Sequence, residues 1–212
     1  MPPDAGRPWP AASNRRQPAE ALLVDMDGVL RQWDPEFTAG VERRHGLADG
    51  ALLAAAFEPD RLRRLTLGQL RHAYWLAEIG AATGAPGAVA EWAGFPGRVD
   101  PDVLAFVRAA RAAGRPVALA SNASDALDGH LAVLGLAGEL DAVVNSAVLG
   151  VAKPAAGFYA AACAAVRVPP GGCLLVDDTE RNVAGARAAG LAAHRWTGPA
   201  DLPYLRAALG LR

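Results

Sequence analysis

The fold is decided by residues 22–29, which read LLVDMDGV. The apolar start of this stretch fits a buried strand, and the strand ends abruptly in two acids, Asp25 and Asp27, and a glycine, Gly28. Strand alternation would send the two acids to the same side, but once the chain turns at Gly28 both can lean into a crevice at the carboxyl edge of the sheet. That edge is where open α/β sheets bind ligands.

Short apolar runs alternate with helical segments along most of the chain. Strands are predicted over residues 21–25, 117–120, 142–144, 173–176 and 191–195. Helices are predicted from residue 100 or 101 to 113, from 124 or 125 to 134, from Pro154 to 166 and from 180 to 189. Because strands that alternate with helices pair in parallel through right-handed crossovers, the pattern predicts an α/β fold with a parallel sheet.

A helical segment interrupts this alternation after the first strand. Residues 31–97 show helical spacing without strand alternation, and a run rich in glycine and proline over residues 83–97 returns the chain toward the core. We therefore predict a core domain of residues 21–30 and 98–212, with residues 31–97 inserted as a small helical domain. The polar, proline-rich residues 1–20 are expected to form a disordered tail.

The composition argues against several function classes. The 212 residues carry 21 basic and 22 acidic side chains, and a net charge of −1 leaves no electrostatic footprint for nucleic acid or an anionic membrane. No apolar stretch approaches the roughly 20 residues that span a bilayer, and residues 1–20 hold no apolar signal segment, so we expect a cytoplasmic protein. Cys163 and Cys173 indicate buried packing rather than a disulfide or a zinc site. The 52% apolar content is compatible with a monomer and with a dimer.

Polar residues cluster at the ends of the predicted strands or in the loops just beyond them. They are Asp25 with Asp27, Ser121 with Asn122, Lys153, and Asp177 with Asp178. The carboxyl ends of parallel strands meet at one edge of a sheet, so these side chains converge on one crevice. Three or four carboxylates would repel one another there unless a divalent cation lay among them, and oxygen ligands favour Mg²⁺. The sequence therefore predicts a magnesium site at this edge.

These residue types suit phosphoryl transfer. A phosphate ester brings negative charge to the acidic crevice, so its oxygens need a metal ion, a fixed cation and hydrogen-bond donors. Lys153 and Ser121 supply the cation and a donor, and Lys153 is the only lysine of the chain. One carboxylate can attack phosphorus, while a second donates a proton to the leaving oxygen and later takes one from water. Asp25 and Asp27 fit these two roles.

Together the motifs resemble the haloacid dehalogenase (HAD) superfamily, in its phosphatase branch. They occur in the family's order: DMDGV at residues 25–29, Ser121 within SNAS, Lys153 with Pro154, and VDDTERN at residues 176–182. The resemblance covers about residues 21–195. It implies a Rossmann-like core, a helical cap of the first type over residues 31–97, Mg²⁺ dependence and an aspartyl-phosphate intermediate.

The resemblance assigns catalysis to the first motif and phosphate binding to the next two. Asp25 would be the nucleophile. Asp27 would be the general acid and base, and its backbone carbonyl would also reach the metal. Ser121, Asn122 and Lys153 would hold the phosphoryl group.

The last motif would complete the metal site. By the resemblance, Asp178 is the main metal ligand in addition to Asp25, and Asp177 ligates the ion directly or through water. Asn182, in the same motif, fits equally a partner of these acids and a residue of the helix surface.

Other functions are weighed against this interpretation. Dehalogenases of the superfamily lack the second acid, because a halide leaves without a proton, so Asp27 argues against that chemistry. The related phosphonate-cleaving enzymes need a lysine in the cap, and residues 31–97 contain none. A sugar-phosphate mutase stays open because it uses the same core residues, and a catalytically silent binding module is the alternative from another class. Since caps close over small substrates, the sequence predicts a phosphatase for a small phosphorylated metabolite.

The charged side chains of the inserted segment allow two interpretations. Arg61, Arg63, Arg64 and Arg71 could hold an anionic substrate or form a charged helix face, and the second is favoured. The four histidines of the chain have no metal-ligand spacing, so packing or surface roles are expected for them.

Overall fold

A five-stranded parallel sheet forms the centre of the chain in a computed structural model that describes residues 17–211. The strands in chain order are β1 (Ala21–Val24), β2 (Arg31–Gln32), β3 (Arg98–Val99), β4 (Val117–Ser121), β5 (Ala142–Asn145), β6 (Cys173–Asp177) and β7 (Ala192–Arg195). The order in the sheet is β5-β4-β1-β6-β7, and every neighbouring pair is parallel. The predicted α/β fold with a parallel sheet is confirmed.

Helices connect these strands. They are α1 (Pro35–Arg44), α2 (Ala51–Ala56), α3 (Pro59–Thr66), α4 (His72–Thr83), α5 (Pro86–Ala93), α6 (Pro101–Ala112), α7 (Leu127–Val133), α8 (Ser146–Leu149), α9 (Ala156–Val166), α10 (Glu180–Ala188) and α11 (Leu202–Ala208). Short 3₁₀ turns lie at Pro170–Gly172 and Pro199–Asp201.

Two predicted helix starts are wrong by a few residues. The helix predicted from Pro154 begins at Ala156, because Ala155 still has an extended backbone. The helix predicted from residue 124 or 125 begins at Leu127, because the Ser124 hydroxyl accepts the backbone N–H of Ala126 (3.2 Å) and closes a turn first. The short helices α8 and α11 are not predicted from the sequence at all.

The central strand β1 is buried on both faces. Leu22 and Val24 belong to one hydrophobic cluster, which also contains Phe106 of α6, whereas Ala21 and Leu23 belong to a second cluster on the opposite face. Because successive side chains of a strand point to opposite faces, a strand covered on both sides is apolar at every position. This explains why an unbroken apolar run precedes Asp25.

The inserted helices α1–α5 pack around a hydrophobic cluster of their own, which includes Val41, Leu52 and Ile79. A two-stranded antiparallel ribbon, formed by β2 and β3, joins this cap to the core. The sequence predicts no strand in residues 31–97, whereas β2 lies within this range. A strand of two residues is too short to show alternating polarity. The division at residues 31 and 97 stays a prediction.

The chain contacts the core before the first strand begins. Ala19 donates a backbone hydrogen bond to Ala208 (2.9 Å), and Glu20 donates one to Gly172 (2.7 Å). Residues 1–16, which make up most of the predicted tail, lie outside the described residues. Across residues 17–211, none of the helices has the length and apolar character needed to cross a bilayer. Cys163 and Cys173 are buried free thiols, as predicted.

Candidate active site

The chain turns sharply where β1 ends, and this turn brings its two acids to the sheet edge. Asp25 still donates its backbone N–H to Val176 of β6 (2.9 Å), and its carboxylate accepts the backbone N–H of Met26 (2.7 Å). Gly28 then adopts the left-handed region, with φ of 78°. A Cβ at Gly28 would overlap the carboxylate of Asp178, so a glycine is needed both for the turn and for this close approach.

Lys153 lies between two carboxylates in the interior. Its Nζ is 2.9 Å from Asp25 Oδ1 and 2.6 Å from Asp177 Oδ2, and all three side chains are buried. Burial by itself would lower the pKa of Lys153, but the charges of Asp25 and Asp177 outweigh it and raise that pKa. The ammonium group is therefore a fixed positive charge beside the predicted nucleophile.

Asp177 is held from several sides. Its carboxylate accepts hydrogen bonds from the Asn182 side chain (3.0 and 3.2 Å) and from the backbone N–H of Thr179 (2.9 Å). The Tyr159 hydroxyl in turn donates to the backbone carbonyl of Asn182 (2.6 Å). Of the two interpretations of Asn182, the structure supports the partner of the acids.

Three carboxylates could hold a divalent cation here. Oxygens of Asp25, Asp177 and Asp178 all lie within 4.8 Å of one another. Asp178 is the most accessible of the three, whereas Asp177 is fully buried and both of its oxygens already contact Lys153, Asn182 or Thr179. The donor set is all oxygen, as a hard cation such as Mg²⁺ requires, and Asp25 and Asp178 are the carboxylates with room for it.

The Asp25 carboxylate is costly to bury in ionised form. Burial is the largest influence and raises its pKa to about 7, with Asp177 adding to the rise and Lys153 opposing it. A divalent cation at this position would favour the ionised form further. Burial and the Lys153 ammonium therefore act in opposite directions on the charge of the Asp25 carboxylate.

Ser121 is the last residue of β4, which lies beside β1, and Asn122 follows it. Ser121 is buried at the end of that strand. The Asn122 side chain donates to the Lys153 backbone carbonyl (3.0 Å) and accepts the Lys153 backbone N–H (2.8 Å). Asn122 thus holds the backbone that carries Lys153, a role not predicted from the sequence, and its contact with phosphate stays a prediction.

The Asp27 carboxylate lies apart from the acid cluster. It is 2.7 Å and 3.0 Å from two guanidinium nitrogens of Arg31, and it accepts the indole N–H of Trp33 (2.8 Å). The contacts of Arg31 and Trp33 with Asp27 are not predicted from the sequence. The sequence offers one signal for these contacts: Arg31 and Trp33 lie four and six residues after Asp27. Side chains at that spacing reach Asp27 only because the chain turns at Gly28.

The arginines of the cap form ion pairs with neighbouring acids. Arg61 and Arg64 pair with Glu78, and Arg63 and Arg64 pair with Asp60. Arg71, at the start of α4, is 4.0 Å from Asp125 of the core. The interpretation as a charged helix face is supported for the first three.

The sequence matches one family model. The model is described as a haloacid dehalogenase-like hydrolase, and it matches residues 19–190. No curated protein matches the chain.

Solved structures resemble the chain over most of its length. A predicted HAD-like family hydrolase from Porphyromonas gingivalis is 19% identical, with a TM-score of 0.72 over 92% of this chain and 100% of that one. A HAD family enzyme from Bacteroides thetaiotaomicron, in complex with magnesium and inorganic phosphate, is 19% identical, with a TM-score of 0.70 over 84% and 94%. The L-2-haloacid dehalogenase from Xanthobacter autotrophicus, with chloropropionic acid covalently bound, is 20% identical, with a TM-score of 0.65 over 84% and 77%. These similarities establish the fold of the chain.

Proposed function

Since the chain belongs to the haloacid dehalogenase-like hydrolases, we propose that it is a Mg²⁺-dependent phosphatase that hydrolyses a small phosphorylated metabolite through an aspartyl-phosphate intermediate. The observation that carries this proposal is a second acid, Asp27, two residues after the buried Asp25 that contacts Lys153. A halide leaves without a proton, whereas an alcohol oxygen needs one. The second acid therefore favours an ester substrate.

The reaction consists of two transfers on phosphorus. In the first, an Asp25 oxygen bonds to phosphorus, the bond from phosphorus to the ester oxygen breaks, and Asp27 gives its proton to that oxygen. In the second, the oxygen of a water molecule bonds to phosphorus while Asp27 takes its proton, and the bond between phosphorus and the Asp25 oxygen breaks. Inorganic phosphate leaves, and the Asp25 carboxylate is restored. Lys153 and Ser121 bind phosphoryl oxygens throughout.

The acid cluster would hold the magnesium ion. We propose that the Asp25 and Asp178 carboxylates, which lie together in the acid cluster, ligate it. The family resemblance implies that the backbone carbonyl of Asp27 joins them. Asp177 would act through its contact with Lys153 rather than by direct ligation, because both of its oxygens are occupied by donors. When bound, Mg²⁺ supplies positive charge to the phosphoryl oxygens and separates the carboxylates.

The proposal also accommodates the dehalogenase among the similar structures. That protein is 20% identical to this chain, which supports a shared fold and leaves the chemistry to the site residues. Halide displacement needs no proton donor, so Asp27 would have no role in that reaction. The cap, which packs as a separate helical cluster beside the sheet edge, supports a small substrate over a macromolecular one.

The test is phosphate release from a panel of phosphorylated metabolites and p-nitrophenyl phosphate, with Mg²⁺ and with EDTA. We expect turnover that EDTA abolishes, and we expect Asp25→Asn to reduce it to the background rate while the circular dichroism spectrum is unchanged. Full activity of Asp25→Asn would contradict the assignment of Asp25 as the nucleophile. Absence of Mg²⁺-dependent turnover across the panel would favour a silent binding module, and phosphoryl transfer within sugar phosphates without phosphate release would favour a mutase.

A further inference from the structure

Three hydrogen-bond donors surround the Asp27 carboxylate, and two of them belong to a single guanidinium group. Arg31 Nε donates to Oδ1 (2.7 Å) and Nη2 donates to Oδ2 (3.0 Å), while Trp33 Nε1 donates to Oδ1 (2.8 Å). The Asp27 side chain is still 42% exposed on its free side. A two-point contact between arginine and a carboxylate fixes both the position and the plane of the carboxylate.

We propose that Arg31 and Trp33 are positioning residues for Asp27, and that they link this proton-transfer group to the ribbon that carries the cap. The inference rests on the proposed phosphatase function, in which Asp27 serves the leaving oxygen. Neither residue needs to touch the substrate. Both act by placing the Asp27 carboxylate.

Arg31 is itself held rigidly. Its side chain is only 6% exposed, and its residue pairs with Val99 in the ribbon of β2 and β3. Its guanidinium carbon lies 4.4 Å from the centre of the Trp33 ring, a cation–π distance. A Cβ at Gly97 would overlap the Arg31 side chain, so the glycine leaves the space in which that side chain lies.

His130 borders the Arg31 guanidinium from the core side. Arg31 Nη1 lies 3.5 Å from His130 Nδ1. Burial lowers the pKa of His130, and the charges of Arg31 and His72 lower it further, so the neutral ring can accept this contact. The Arg31 guanidinium, buried among these neighbours, therefore has little freedom to move.

The same two residues are connected to the cap by aromatic contacts. Trp33 follows β2, and its ring packs edge to face with Phe95, which lies just before β3; the ring centres are 6.2 Å apart. Phe95 also packs on Phe37 of α1, with ring centres 4.5 Å apart. His130 of the core packs against His72 at the start of α4, with ring centres 5.5 Å apart. A displacement of the cap helices would therefore shift the donors that hold Asp27.

Two variants separate positioning from folding. Trp33→Phe removes the indole N–H but keeps a ring against Phe95, and Arg31→Lys keeps the charge but loses the two-point contact. Misplacing a proton donor harms substrates with poor leaving groups most, because those need the proton most. We expect each variant to lose roughly tenfold or more in kcat on phenyl phosphate, and distinctly less on p-nitrophenyl phosphate.

Matched controls are available elsewhere in the chain. Trp92→Phe removes an indole N–H that donates to Thr38 Oγ1 (3.2 Å) inside the cap. Arg108→Lys breaks a two-point contact with Glu139 at the surface of the core. Both controls should keep the wild-type ratio of the two rates. Equal losses on both esters in Trp33→Phe and Arg31→Lys would overturn the positioning role, as would unchanged kinetics in both.

A second readout does not depend on turnover. In the metal-free protein, the indole N–H resonance of Trp33 is identified by its loss in Trp33→Phe, and we expect Asp27→Asn to move it upfield because a charged acceptor becomes neutral. A resonance that does not move would contradict the contact. If the wild type hydrolyses no ester at all, the proposed function fails, while this resonance still decides whether Trp33 holds Asp27.

Discussion

At the residue scale, the site depends on one buried ammonium group between two buried carboxylates. Lys153 contacts Asp25 and Asp177, and the exposed fraction of each of these side chains is 10% or less. Removing one partner from such a group leaves uncompensated charge in the interior, which costs much more than breaking an exposed ion pair. Lys153 therefore supports folding as well as the proposed phosphate binding.

This gives a stability prediction for Lys153→Met, which removes the charge and keeps an unbranched apolar side chain. In the absence of Mg²⁺ we expect the free energy of unfolding to fall by about 3–5 kcal/mol, measured by urea denaturation. Arg63→Met, which breaks an exposed pair with Asp60, is the control, and about 1 kcal/mol or less is expected there. Equal effects of the two substitutions would show that Asp25 and Asp177 do not need the ammonium group.

The residues of the site differ in how far the sequence predicts them. Lys153 stands out because it is the only lysine and directly precedes a proline in the loop beyond a predicted strand. The sequence predicts Asn122 as a phosphate-binding residue. Its contact with the Lys153 backbone joins positions 31 residues apart, and no local pattern encodes it. The contact of Asn182 with Asp177 lies within one motif, yet only the start of α10 decides that its side chain turns inward.

At the element scale, the turn after β1 shapes the candidate metal site. Gly28 lies in the left-handed region, and its missing side chain lets the Asp178 carboxylate approach the turn. Any Cβ at Gly28 would displace that carboxylate, which comes from the end of β6. The ends of β1 and β6 therefore approach each other at Gly28.

We predict that Gly28→Ala weakens Mg²⁺ binding severalfold or more, because Asp178 must move away. The left-handed backbone adds a stability cost of about 1–2 kcal/mol. Gly114→Ala is the matched control: Gly114 has nearly the same φ (75°), but an added Cβ meets nothing within 4 Å. Isothermal titration with Mg²⁺ and thermal unfolding measure the two effects separately. If both variants bind Mg²⁺ like the wild type, Asp178 does not ligate the ion.

Elements with a strong local pattern are predicted, and those formed by long-range contact are not. The buried strands follow from apolar runs, and α6 follows from Asp100 and Pro101 at its start. The ribbon strand β2 has two residues, too few to show alternation. Helix α11 is short, and its buried Leu205 belongs to the same cluster as Leu22 and Phe106, far apart in sequence.

At the scale of the whole molecule, the strand order explains why the site lies where it does. The chain runs from β1 outward through β4 and β5 on one side, and then crosses to β6 and β7 on the other. The direction of winding changes beside β1, and open α/β sheets bind ligands at such a switch point, beyond the carboxyl ends of the strands. This topology brings Asp25, Ser121 and Asp177 to one edge of the sheet, at the ends of three adjacent strands.

The central claim is that Asp25 attacks phosphorus, and it can be tested without knowing the natural substrate. The protein is incubated with inorganic phosphate and Mg²⁺ in water enriched in oxygen-18. Mass spectrometry then follows the entry of this isotope into the phosphate. Reversible formation of the aspartyl-phosphate releases a phosphate oxygen as water, so the account predicts label entering the phosphate in the wild type and not in Asp25→Asn or with EDTA. No exchange by the wild type, or equal exchange by Asp25→Asn, would contradict it.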